Sequence, residues 1–303
     1  MSRDYAFAQV DVFTDRIFGG NSLAVVLDAV GLLDAEMQSI ANEMNLAETT
    51  FLLPPTRPGC AARVRIFTPQ RELPFAGHPT LGTAWVLATR GILPAGVTRF
   101  ALEEGIGPVL VELEGESFVW LSQQDPVFGQ EVSDRAAVAR ALGLEEQDLL
   151  AGAPVEPGNC GIDFLYVPLR DRKVVDRAVL DARALVAGFA DAARMGVFVF
   201  AVDPPPAARR VYSRMFAPHS FGIPEDPATG SGSGPLGAYL VRHGLTPVSD
   251  DGTEARIVSE QGTRMGRQSF VHIALSVRGG ESSHIRVGGG VVPVLEGVLR
   301  LPA

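Results

Sequence analysis

A chain of 303 residues that is 46% hydrophobic and 20% charged can bury the core of one large or two ordinary domains, which excludes a disordered chain. Its formal net charge of −9, with no run of Lys and Arg to offset it, excludes the basic footprint that holds nucleic acid or an anionic membrane. The amino terminus, MSRDYAFAQVDVF, lacks a signal-peptide core and no stretch of about 18 apolar residues follows, so a cytoplasmic protein is expected.

In chain order, apolar alternation predicts strands at YAFAQVDVF, LAVVL, TTFLL and ARVRIFT, with a helix from Asp34 to about Met44. The second half gives strands at FLYVPL, GVFVFAV, RRVYSRMFA, ARIVS, SFVHIALSV and SHIRVGG, again with helices between. Strands and helices mix without strict alternation. That favours α+β architecture with mostly antiparallel or mixed sheet over a doubly wound parallel sheet.

One passage occurs twice. RIFTPQRELPFAGHPTLGTAWVLATRG runs from Arg65 to Gly91, and RMFAPHSFGIPEDPATGSGSGPLGAYLVRHG from Arg214 to Gly244. Each reads as a strand ending in Phe-x-Pro, an acidic loop with a second proline, and a small-residue turn opening an apolar helix. The repeat implies two similarly built, pseudo-twofold-related halves, each a curved sheet around a central buried helix. Residues 1–127 are expected as the N-terminal lobe, joined by a last strand at about 292–303, and 128–291 as the C-terminal lobe. The glycines let a ligand approach the two helix termini, whose N–H groups attract anions. Twin termini suit a small carboxylate held between two lobes.

Gly232, Gly234 and Gly237 also match a dinucleotide fingerprint. A strand should lead directly into its first glycine, however, and the preceding PEDPAT reads as a loop. No acidic residue stands well placed about 20 positions on, and no P-loop lysine is present. Cys60 and Cys160 are the only cysteines, and no two of the five histidines stand at a helical metal-ligand spacing, so neither metal nor cofactor is expected.

Three carboxylates and imidazoles could carry chemistry. Taken alone, His78 in AGHPTLG reads as a capping or loop histidine, and Asp226 in EDPATG as a turn residue before proline. Glu48 in EMNLAETTFLL stands between a helix and an apolar strand, where most glutamates are solvated. Held against Leu46, Ala47 and Phe51 it would instead suit proton transfer near neutrality. Their company, from separate segments and two helix termini, favours a site.

EMNLAETTF, RIFTPQRELPFAGHPTLGTA, SRMFAPHSFGIPEDPATGSGSGPLGAYLVRHG and EQGTRMGRQSF together resemble the phenazine-biosynthesis PhzF family of isomerases. The resemblance covers most of the chain and is weakest from about Gly129 to Ala207. It implies the diaminopimelate epimerase-like fold, a homodimer, and a cofactor-independent isomerase acting on a small cyclic amino-acid carboxylate, most like trans-2,3-dihydro-3-hydroxyanthranilate. The family's catalytic glutamate falls on Glu48, its histidine on His78, and its aspartate and serine on Asp226 and Ser231. Gly77 and Gly230 match the glycines of the two helix termini. Related epimerases place a cysteine at each terminus, and this chain has none there.

Three departures stand out. Ser22 follows Asn21 where the family usually has proline, Gln268 replaces the proline of Gly-Arg-Pro-Ser, and Gly232-Ser233 replaces a small residue followed by a variable one. The last pair is expected to border the substrate. Rival readings are a non-catalytic carboxylate-binding or interaction protein on the same fold, an amino-acid epimerase, and a nucleotide-dependent oxidoreductase.

Overall fold

The computed structural model describes residues 2–204, 209–217, 223–249 and 251–302, so Pro218 and His219 of the second repeat lie outside the described residues. The chain divides into two compact units, Met1–Ser122 with Gly288–Ala303, and Gln123–Val287. The first unit holds β1 (Arg3–Val12), β2 (Asn21–Val26), α1 (Asp34–Met44), β3 (Glu48–Leu53), β4 (Cys60–Phe67), β5 (Glu72–Leu73), α2 (Gly77–Thr89), β6 (Arg99–Glu104), β7 (Gly107–Glu114) and β8 (Phe118–Ser122). The second holds β9 (Val127–Phe128), α3 (Arg135–Ala141), β10 (Glu156–Asn159), β11 (Asp163–Pro168), α4 (Arg172–Arg177), α5 (Ala182–Gly188), β12 (Gly196–Val202), β13 (Arg210–Ala217), β14 (Ile223–Asp226), α6 (Gly230–Arg242), β15 (Glu254–Gln261) and β16 (Ser269–Arg278). The last strand, β17 (Glu281–Leu301), starts in the second unit and finishes in the first.

The two units repeat one pairing scheme. In the first, β1 and β2 are antiparallel, β2 and β3 parallel, β3 antiparallel to β4, β4 antiparallel to β5 and parallel to β6, and β6 antiparallel to β7. In the second, β10, β11, β12, β13, β14, β15 and β16 follow the same sequence of relations. Each parallel step needs a crossover, which the intervening helices supply. The first unit's sheet also closes on itself, because β7 pairs with β8, β8 with β17, and β17 with β1. The architecture is therefore α+β, as the sequence implies.

Both repeated helices have 13 residues and lie at the centre of their own unit. Helix α2 packs against β1, β2, β3, β7 and β8, and α6 against β10, β11, β15 and β16. Leu81, Ala84, Val86 and Leu87 of α2 and Leu236, Ala238, Tyr239 and Leu240 of α6 are all buried, which is why neither helix carries a polar stripe.

The duplication extends to side chains. Phe67 pairs with Glu72 as Phe216 pairs with Glu225, which aligns Leu73 with Asp226, Gly77 with Gly230, and His78 with Ser231. Arg65 Nε and Nη2 donate to the Glu72 carboxylate at 2.7 Å, and the guanidinium lies over Phe67. Arg214 treats Glu225 and Phe216 in the same way at 2.8 Å.

Two sequence-based expectations are corrected. The residues before Gly230 are not all loop, since β14 covers Ile223–Asp226 and pairs with β13. The fingerprint glycines lie inside α6, and they serve helix packing. A Cβ on Gly232 would meet the Phe198 ring at 3.0 Å, and one on Gly237 would meet Ile273 Cγ2 at 2.6 Å. The sequence patterns also missed β6–β8 and set no bounds for the short helices α3, α4 and α5. Those helices span only six or seven residues, too few for a helical period to show. β6 ends in a pair of buried glutamates, Glu103 and Glu104.

Candidate active site

Helix α1 stops at Asn45, which takes a left-handed conformation (φ 52°) that Asn tolerates better than most residues. The chain then turns so that Glu48 opens β3 opposite Leu23 of β2. The Glu48 side chain is 13% exposed, and its Oε2 lies 3.4 Å from His78 Nε2.

His78 is the second residue of α2, followed by Pro79, whose missing N–H costs little in a first helical turn. Its Nδ1 lies 3.2 Å from the Asn21 side-chain nitrogen. Burial pulls the imidazole down to about 3, and a bond to the Ser22 backbone offsets this only in part. The ring is therefore neutral at neutral pH, and its contact with Glu48 is not an ion pair. At 3.4 Å the contact is longer than a made hydrogen bond, as catalytic contacts often are before substrate binds.

The Asn21–Ser22 step is held from beneath. Ser22 Oγ donates to Asp11 Oδ1 at 2.9 Å, and Asp11 Oδ2 accepts the Phe18 N–H at 2.7 Å. Serine in place of the family's proline thus has a structural partner. Gln268, the second departure, donates to Glu260 Oε1 at 2.9 Å. The third departure is corrected. Gly232 sits against Phe198, and Ser233 is fully buried with its hydroxyl on the Thr229 carbonyl, so packing rather than ligand contact accounts for both.

In the second unit, Asp226 ends β14 and accepts a hydrogen bond from the Thr229 hydroxyl. Gln261 locks this turn: its Oε1 accepts the Thr229 N–H at 3.1 Å, and its Nε2 donates to Asp226 O at 2.8 Å and to Thr229 Oγ1 at 3.0 Å. Gly262 follows with φ 75°, and a Cβ there would lie 2.5 Å from Pro227 O, so only glycine lets the strand end approach the turn. Gly230 and half-buried Ser231 open α6.

Neither helix is capped by its N-cap side chain, Ala76 for α2 and Thr229 for α6. First-turn N–H groups of that kind suit an anion. The structure thus brings Glu48, Gly77 and His78 together in the first unit, and Asp226, Gly230 and Ser231 together in the second. Sequence reasoning missed Asn21 and Gln261. Both lie inside quoted or neighbouring motifs, but amides carry no chemical signature of their own.

Among the described residues no three His, Cys, Asp or Glu side chains converge as a metal-ligand set. Burial, with Asp125 nearby, pushes the Cys160 thiol up to about 12, far from a reactive thiolate. No helix among the described residues is long and apolar enough to cross a membrane.

Residues 10–297 match the model of the family described as phenazine biosynthesis-like protein. The chain is 37% identical over 300 residues to an uncharacterized isomerase of Mesorhizobium japonicum, a match covering 95% of this chain and 96% of that one. It is equally 37% identical, over 295 residues, to the trans-2,3-dihydro-3-hydroxyanthranilate isomerase of Pseudomonas fluorescens, covering 96% and 98%. The PhzF-family phenazine biosynthesis protein of Bacillus anthracis superposes with a TM-score of 0.85 at 27% identity, over 98% of this chain and 99% of that one. Through both copies of its helix-opening motif and nearly all of its length, the chain belongs to the phenazine biosynthesis-like PhzF family of isomerases.

Proposed function

We propose that the protein isomerises trans-2,3-dihydro-3-hydroxyanthranilate by carrying one proton between two carbons on Glu48. The Glu48 carboxylate takes the C3 proton, the electron pair spreads through the conjugated ring, and the same proton returns at C1. The resulting enol tautomerises to the ketone, so no atom is gained or lost. His78 and Asp226 orient the hydroxyl and amino groups, while Ser231 and the Gly77 and Gly230 backbones hold the carboxylate at helix termini. A cytoplasmic homodimer completes the reading.

The observation that carries it is where the duplication breaks. The two units share strands, central helices and Arg–Glu pairs, yet Glu48 at the start of β3 answers to Gly196 at the start of β12. His78 answers to Ser231, and Asp226 to Leu73. A frame built twice with its proton carrier on one side suits one-base transfer, whereas two-base racemisation needs an acid–base group on each side. Neutral His78 adds to this, because it can orient a substrate without neutralising Glu48 as a cation would.

Two measurements test the reading. Incubation with the dihydroanthranilate in D₂O should give the ketone isomer, followed by proton NMR, without added metal or nucleotide. The stable analogue 3-hydroxyanthranilate, at about a hundred times its dissociation constant, should add roughly 2.7 kcal/mol of stability. That corresponds to a melting shift on the order of 2–4 °C per kcal/mol. A larger shift with NAD or ATP than with the analogue, or no turnover of the substrate, would overturn the assignment.

A further inference from the structure

Glu104 ends β6, is 5% exposed, and has no part in the chemistry above. Its Oε1 lies 2.6 Å from Thr80 Oγ1 in the first turn of α2, while its Oε2 is buried without a hydrogen-bond partner. Thr80 Oγ1 also lies 2.7 Å from the carbonyl of Ala76, the N-cap. A hydroxyl has one proton, so it cannot donate to both a carbonyl and a carboxylate.

The second unit shows how the same corner is resolved. Ser233, which answers to Thr80, donates its hydroxyl to the N-cap carbonyl of Thr229 at 2.8 Å. Gln261 ends β15 as Glu104 ends β6, and each precedes a glycine pressed against a proline. A Cβ on Gly105 would meet Pro74 O at 2.9 Å, and one on Gly262 would meet Pro227 O at 2.5 Å. From this matched position Gln261 acts as a donor to Thr229 Oγ1. A carboxylate only accepts, whereas a carboxylic acid both donates and accepts, as an amide does.

We propose that Glu104 carries a proton in the folded protein and donates it to Thr80 Oγ1, which makes it a positioning residue for the α2 terminus. The Thr80 hydroxyl is then free to hold the Ala76 carbonyl, and through it the Gly77–His78 backbone. Burial supports this by pushing the Glu104 carboxyl up to about 8, against the opposing pull of the Thr80 contact. The charged groups lining the adjoining cavity, of about 610 Å³, are Arg57, Arg63, Arg65, Glu72 and Glu103. Arg65 is engaged by Glu72 and Asp34, and Glu103 accepts the Thr56 and Arg57 N–H groups. Arg57 and Arg63 face the cavity as well, but the Thr80 contact is what opposes protonation of Glu104, and His78 on the same turn of α2 is neutral.

The catalytic half of this inference rests on the isomerase reading, and the protonation half does not. The difference infrared spectrum of wild type against Glu104→Gln should show a buried protonated carboxyl at pH 6 that disappears with a midpoint near 8. Its absence at pH 6 overturns the proposal. Between the ordinary 4.5 and about 8 the folded chain keeps a proton that the unfolded chain has released. That contribution to stability is complete below the lower value and is lost as pH rises through the upper one. The wild-type melting temperature should therefore fall across this window by on the order of 10 °C more than that of Glu104→Gln. Equal slopes count against it. In catalysis, wild-type kcat/KM should drop above pH 8, Glu104→Gln should abolish that limb, and Glu104→Leu should raise KM several-fold at every pH. An alkaline limb that persists in Glu104→Gln removes the positioning role. A protein without turnover leaves the infrared and melting results to decide the proton.

Discussion

Glu48→Gln should lower isomerisation by on the order of a thousandfold or more while ligand affinity changes only a few-fold. The substitution keeps the shape of a side chain already held at the start of β3 and removes only the group that takes and returns a proton. His78 cannot replace it, because burial keeps that imidazole neutral and holds its basicity near 3. Single-turnover rates with the dihydroanthranilate, together with melting shifts for the analogue, separate the two effects. Retention of more than about a tenth of the rate would remove Glu48 from the mechanism.

The duplicated Arg–Glu pairs should differ sharply in their worth. Arg214 is 9% exposed; beyond its fork onto Glu225 it donates to the Val175 and Ala178 carbonyls at 3.1 and 2.8 Å. Arg214→Ala leaves a half-buried carboxylate without its fork and removes the guanidinium from the Val175 and Ala178 carbonyls, an effect on the order of 3 kcal/mol. Arg65 repeats the fork onto Glu72, but the Glu72 and Asp34 side chains are 43% and 85% exposed. Solvent screens that network, so Arg65→Ala should cost about 1 kcal/mol or less. Urea midpoints at constant slope measure both. A loss for Arg214→Ala no larger than that for Arg65→Ala would contradict the reading. Because Glu225 adjoins Asp226, Arg214→Ala should also depress activity in the fraction that folds.

Much of this was legible in the sequence because it depends on residue types with few alternative uses. Paired Phe-x-Pro strands, helices apolar on every face, and glycines at helix starts each admit few structural explanations, and together they point to a duplicated α+β frame. The candidate site residues Glu48, His78 and Asp226 each have an ordinary structural use, and they stand out only through their company and the resemblance to the family. What escaped was decided by tertiary contacts. β6 shows no plain apolar alternation because it ends in two glutamates, which are held by the Thr56 and Thr80 contacts. Gln261 looked ordinary because its role lies in three bonds to residues far along the chain. The glycines of α6 match a dinucleotide fingerprint that their flanks argue against, and only the fold shows that they make room for Phe198 and Ile273.

The path of β17 bears on how the protein is made. The second unit is one continuous segment, so every strand partner it needs is synthesised before Gly288. The first unit is not: β1 is paired on one side by β2 and on the other by residues up to Leu301, opposite Arg3. Until those late residues emerge, its barrel has a gap with two open strand edges, a state prone to mispairing. The earliest-synthesised unit is therefore the last to be completed. Pulse-labelled proteolysis of ribosome-bound chains should find Gln123–Val287 protected before Met1–Ser122.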